Sequence, residues 1–142
     1  MVGFKKGYLV CEASDKNPLI KIQDLVYRLF IKHFKIRGNK SEVFNNLHNI
    51  ADNIDPAELN EKRVLIIRDL NNNLDCGMLL FNAFENIIKE LIGPDILVQK
   101  NCNLVIQPPN DPNPSELHRD APANSPYEVV LWVPLVDCYR TK

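Results

Sequence analysis

The apolar positions of the chain fall into two regimes. Up to about residue 95 they recur at intervals of three and four, the spacing that lines one face of an α-helix. Beyond that they alternate or run together in short bursts, as strands do. Asn17-Pro18 is a helix-start signal, with Asn17 as the cap and the proline in the first turn. Ile22, Leu25, Val26, Leu29, Phe30 and His33 carry the stripe to about Phe34, and Arg37-Gly38-Asn39 ends it. Ser41 begins a second helix with Val43, Phe44, Leu47, His48 and Ala51 on one face. Asp55-Pro56 opens a third, continued by Leu59, Val64, Ile67 and Leu70, and Asn71-Asn72-Asn73 marks a break. A fourth runs through Met78, Leu79, Phe81, Phe84, Ile87, Ile88 and Leu91 and stops at Gly93-Pro94.

Four runs read as strands. Gly7 to Cys11 predicts a brief one ahead of the helices. Residues 96–99 and 103–107 predict two more, and Tyr127 to Val133 predicts a strongly buried one. Between them lies an irregular, rigid loop, since five of the ten prolines sit between residues 108 and 122. The expected architecture is therefore α+β: residues 1–95 a mainly helical front with a short N-terminal strand, residues 96–142 the opening strands of a sheet, all in one domain. Three apolar strands on their own would leave an open hydrophobic edge, so the pattern predicts a chain cut before its sheet is complete, with a complete small α+β domain as the alternative.

The 142 residues are 45% hydrophobic and 25% charged, the balance of a globular protein with a real core. A net charge of −1 gives no nucleic-acid footprint. No apolar run is long enough to span a bilayer, and the N-terminus has no signal core, so neither membrane nor secretion is expected. Cys11, Cys76, Cys102 and Cys138 lie far apart with no C-x-x-C pair and no activating pattern, which predicts unreactive, reduced thiols in a cytoplasmic protein.

The chemistry sits in Leu117-His118-Arg119-Asp120. On an extended segment alternate side chains share a side, so His118 and Asp120 would face one way and Arg119 the other. An imidazole and a carboxylate so placed can hold adjacent positions on one metal ion. A second histidine would complete the 2-His-1-carboxylate facial arrangement, which leaves three positions open on Fe(II). Taken as a tripeptide, H-x-D is a weak signal and favours a loop pair bonded to each other or to backbone.

Context adds to the tripeptide. Residues 103–137, NLVIQPPNDPNPSELHRDAPANSPYEVVLWVPLVD, resemble the iron-binding region of phytanoyl-CoA-dioxygenase-like 2-oxoglutarate oxygenases, and more narrowly the oxygenases of sporadic carbohydrate-biosynthesis clusters in bacteria. The shared features are a strand, a proline-rich loop, His-x-Asp, a polar loop, and a strand ending in W-x-P-L, here Trp132-Val133-Pro134-Leu135. The match covers about residues 96 to 139; the helical front is compatible but unspecific.

That resemblance implies a double-stranded β-helix of the jelly-roll or cupin type, its barrel incomplete here, with helices packed outside. It implies an Fe(II)- and 2-oxoglutarate-dependent dioxygenase with His118 and Asp120 as metal ligands. The substrate it implies is a small molecule such as a sugar or nucleotide-linked sugar. Gln107 would reach the cofactor or substrate, or else be a surface amide. Trp132 would line the cavity, or else be a core residue. Arg119 is expected in solvent, and Asn124 and Ser125 as loop caps or substrate contacts.

The family pattern also needs a distal His and an Arg that pairs with the far carboxylate of 2-oxoglutarate. No histidine follows His118, Arg140 is too close to the motif to be that arginine, and His33 and His48 fall in predicted helices. The 142-residue chain alone is therefore expected to be inactive. Two other readings stay open: a non-catalytic helical interaction domain, and a cupin-like isomerase or binding protein.

Overall fold

The computed structural model describes residues 8–51, 53–106 and 128–136. Among them are five helices: α1 (Asn17–Phe34), α2 (Lys40–Asn45), α3 (His48–Ala51), α4 (Pro56–Asn73) and α5 (Cys76–Ile92). Long helix α1 packs against both α4 and α5 and carries α2 at its far end.

Each start has a local cause. At α1, Pro18 sits in the first turn as expected, but Asn17 is not the cap; Asp15 Oδ1 accepts from the Asn17 N–H at 2.9 Å instead. Asn39 and Glu42 form a capping box at α2, each side chain accepting from the other's backbone N–H at 3.0 and 2.9 Å. Asp55 caps α4 through Ala57 N–H at 2.8 Å, and Asp75 caps α5 through Met78 N–H at 3.1 Å. Gly93, at φ 94°, ends α5 where the Gly-Pro signal places the stop.

The helical stretch begun by α2 is broken at Asn46-Leu47, giving two short helices where one was expected. The expected break at Asn71-Asn72-Asn73 is instead the last turn of α4, and the chain leaves the helix at Leu74.

The main core is built from Ile22, Val26, Leu29 and Phe30 of α1, Val43 and Phe44 of α2, Ile66 and Leu70 of α4, and Cys76 of α5. Alpha-helical spacing identified the α1 face. On α4 it pointed to Val64 and Ile67, yet Val64 is 51% exposed and Ile66 fully buried. A second cluster of Ala83, Phe84 and Ile88 lies further along α5, covered by Ala13, Leu19, Ile96, Leu131 and Val133. Helix α5 is kinked at Phe84, where the preceding carbonyl, Ala83 O, accepts from Ser14 N–H at 2.9 Å and Ser14 Oγ at 3.0 Å.

The expected sheet is corrected by this architecture. The described parts of the four strand-like runs form no strand and no β-ladder, so neither the α+β class nor the opening of a double-stranded β-helix (jelly-roll or cupin-like) describes these residues. Alternation itself persists: Cys102, Leu104 and Ile106 turn towards the helices while Asn101, Asn103 and Val105 face out, and Leu131, Val133 and Leu135 alternate with Trp132, Pro134 and Val136 in the same way.

The surface these runs cover is helical, and their backbone groups bond to it. Asn71 places its amide across Cys102, donating to Cys102 O and accepting from Cys102 N–H, both at 2.9 Å. Gln23 Nε2 donates to Leu135 O at 2.8 Å, Arg63 Nη1 to Leu104 O at 3.2 Å, and Gly77 N–H to Lys100 O at 3.0 Å. Period-two burial reports which side of the chain meets the core; it does not report what supplies the backbone partners.

Candidate functional site

His118, Asp120 and Gln107 lie outside the described residues, as do Arg119, Asn124, Ser125, Cys138 and Arg140. The structure does describe both flanks of the segment that carries them. On one side Leu104 and Ile106 pack on the main core; on the other Leu131 and Val133 pack on the second cluster and Leu135 on the main core. Residues 101–106 and 128–136 thus rest on the same helical body. Trp132 is 73% exposed, on the outward side of its segment.

Two histidines are described, and one of them, His33, is already engaged. Helices α1 and α4 bring His33 to Asp69, with Nε2 3.0 Å from Oδ2. Lys32 Nζ donates to the same oxygen at 2.8 Å, and Arg68 stands 3.5 Å from Oδ1. The Lys32 hydrogen bond, then that of His33, holds the Asp69 carboxyl down at about 2, against some opposing desolvation. This carboxylate is already engaged by Lys32, Arg68 and the His33 ring, which fits an α1–α4 clasp rather than a metal cradle. His48 is exposed on α3. Among the described residues no group of three or more His, Cys, Asp or Glu side chains is placed to hold a metal ion.

Two open grooves flank α2. One, about 430 Å³, runs between the end of α1, α2–α3 and α4; its acids are engaged, Glu58 with Lys62 at 2.6 Å and Glu42 in the capping box. The other, about 580 Å³, lies between Gln23, α2 and Pro134–Val136. There Gln23 is bonded to Leu135 O, and Lys40 pairs with Asp24 at 2.6 Å.

The thiols are the feature that sequence spacing missed. Cys76, fully buried in the first turn of α5, and half-buried Cys102 meet at the junction of α4, α5 and residues 99–104. Nothing in their separation along the chain signals this. Gly77 is the nearest clue, because a glycine at the start of a helix allows another backbone to approach closely. Among the described residues no helix is long and apolar enough to cross a membrane.

Comparison with known protein families, with curated proteins and with solved structures returns no match to this chain.

Proposed function

We propose that this chain carries the metal-binding segment of an Fe(II)- and 2-oxoglutarate-dependent dioxygenase. The observation that carries the reading is His118-Arg119-Asp120 set between a proline-rich loop and the Trp132-Val133-Pro134-Leu135 run. One neutral imidazole and one carboxylate are the donor types that suit Fe(II) in a facial site. When bound, iron and 2-oxoglutarate would supply oxidative decarboxylation to succinate, coupled to oxidation of a substrate C–H bond.

The chain's own residues would do three things. His118 and Asp120 would hold one face of the metal. Gln107 would reach towards the cofactor. Trp132 would offer its exposed indole to a small substrate, a sugar or nucleotide-linked sugar by the resemblance, acting in the cytoplasm. Docking of residues 101–106 and 128–136 on the helices supports the reading, because it fixes both flanks of the segment in which the pair lies. His118 and Asp120 are two of the three protein ligands the resemblance calls for.

Mn(II), a paramagnetic stand-in for Fe(II), tests the assignment. Titrated into isotope-labelled protein, it should broaden the amides around residues 118–120 first. His118→Ala and Asp120→Ala should each remove that selectivity while leaving the helical signals in place. Broadening centred on Asp69 or on other carboxylates, or selectivity that survives both substitutions, would refute the site.

A second reading, a helical interaction module without catalysis, draws on one observation: the described residues close a helical core without any sheet. It predicts no selective response to Mn(II) in the same titration.

A further inference from the structure

Cys76 and Cys102 are separated by a long stretch of chain and brought together by three contacts. Gly77 N–H donates to Lys100 O at 3.0 Å, pinning residues 99–100 against the first turn of α5. Gly77 has no Cβ, and that absence lets the Gln99–Lys100 backbone lie directly on it. Asn71 then holds Cys102 by both its N–H and its carbonyl at 2.9 Å, so Cys102 cannot swing away from α5. Both side chains belong to the main core cluster, Cys76 fully enclosed within it and Cys102 packed against it, partly open to solvent.

The pair is asymmetric. The hydrogen bond from the Cys76 thiol holds the Cys102 thiol below its ordinary range, although burial opposes this. The same bond, reinforced by burial, pushes the Cys76 thiol up. Of the two, Cys102 is the sulfur that a dissolved oxidant can reach. An isolated buried cysteine is ordinarily inert packing; two in contact, one of them reachable, form a dithiol.

We propose that Cys76 and Cys102 are an oxidisable pair which hydrogen peroxide converts to a disulfide joining the first turn of α5 to residues 101–106. Cys102 thiolate attacks one peroxide oxygen; the O–O bond breaks, the second oxygen leaves as hydroxide and takes up a proton as water, and Cys102 becomes a sulfenic acid. Cys76 sulfur then attacks the Cys102 sulfur. The S–S bond forms, the S–O bond breaks, and the departing hydroxyl leaves as water with the Cys76 proton. Two thiols and one peroxide give one disulfide and two waters, the sulfurs losing the two electrons that the peroxide gains. The bond would lock residues 101–106, which lead directly into the segment bearing His118. The inference does not depend on the oxygenase reading, since both thiols lie in the helical body and the readout needs no metal.

The test treats the folded full chain with hydrogen peroxide, then unfolds it in an alkylating agent and maps the cysteines by mass spectrometry. The expected result is a reducible Cys76–Cys102 cross-linked peptide with loss of two hydrogens, Cys11 still alkylated, and a raised melting temperature for the oxidised protein. Cys102→Ser should abolish the cross-link. Cys76→Ser should leave Cys102 as a sulfenic acid that dimedone captures. If Cys76→Ser does not fold, the wild-type map and the half-buried Cys102→Ser decide the question. Alkylation of both thiols after peroxide, over-oxidation of Cys102 with Cys76 untouched, or pairing of either with Cys11 or Cys138 would each overturn the proposal.

Discussion

Replacing Gly77 by alanine separates a helix-propensity argument from a tertiary one, because the two give opposite signs. Gly77 lies in the first turn of α5, and by helix propensity alone Gly→Ala there should stabilise the protein by about 0.5–1 kcal/mol. In the fold, a Cβ at this position would overlap the Gln99 carbonyl oxygen and stand 2.8 Å from its carbon and 3.1 Å from Lys100 Cα. These are backbone atoms, so no side-chain rotation relieves the clash, and residues 99–100 must withdraw by on the order of an ångström.

That withdrawal breaks the Gly77–Lys100 hydrogen bond and strains the double bond between Asn71 and Cys102. Overpacking costs about 1–3 kcal/mol and each lost buried hydrogen bond about 1 more. After subtracting the propensity gain, the net destabilisation is about 1–3.5 kcal/mol, a substantial share of a typical domain's total. Urea denaturation followed by far-UV circular dichroism measures it as a lower midpoint at unchanged slope. A Gly77→Ala protein as stable as wild type, or more stable, would show that residues 99–100 do not rest on α5.

Two further perturbations probe the same framework. Asn71→Leu removes both bonds to the Cys102 backbone and should cost about 2–4 kcal/mol, with faster hydrogen exchange at the Cys102 amide; unchanged exchange there would show that Asn71 is not its partner. Asp69 carries a pH signature: its carboxyl is lowered from 3.8 to about 2 by Lys32 and His33, so the clasp contributes fully above pH about 4 and is lost as pH falls towards 2. The urea-midpoint gap between wild type and Asp69→Asn should therefore be constant near neutrality and narrow across that acid window. A gap that persists to the bottom of the window would mean the carboxylate is not held by those two side chains.

The sequence by itself determined where most helices lie and which face of α1 is buried. Those features rest on local physics: the three-and-four spacing of Ile22, Val26, Leu29 and Phe30, the start signals Asn17-Pro18 and Asp55-Pro56, and the Gly93 stop. It also singled out His118 and Asp120, by the chemistry of two donor groups one residue apart, and that pair falls outside the described residues. Only the tertiary structure decided what the apolar runs after residue 95 pair with. Their alternation is the same whether the neighbour is a strand or a helix, since it records only which side chains leave water. Here Asn71, Arg63, Gln23 and Gly77 supply the backbone partners that a neighbouring strand would have supplied. Each lies far away in sequence and bonds to a single residue, and a single distant contact leaves no periodic trace in the chain. The meeting of Cys76 with Cys102 was hidden for the same reason: it follows from a close backbone approach at Gly77, which only the packed helices bring about.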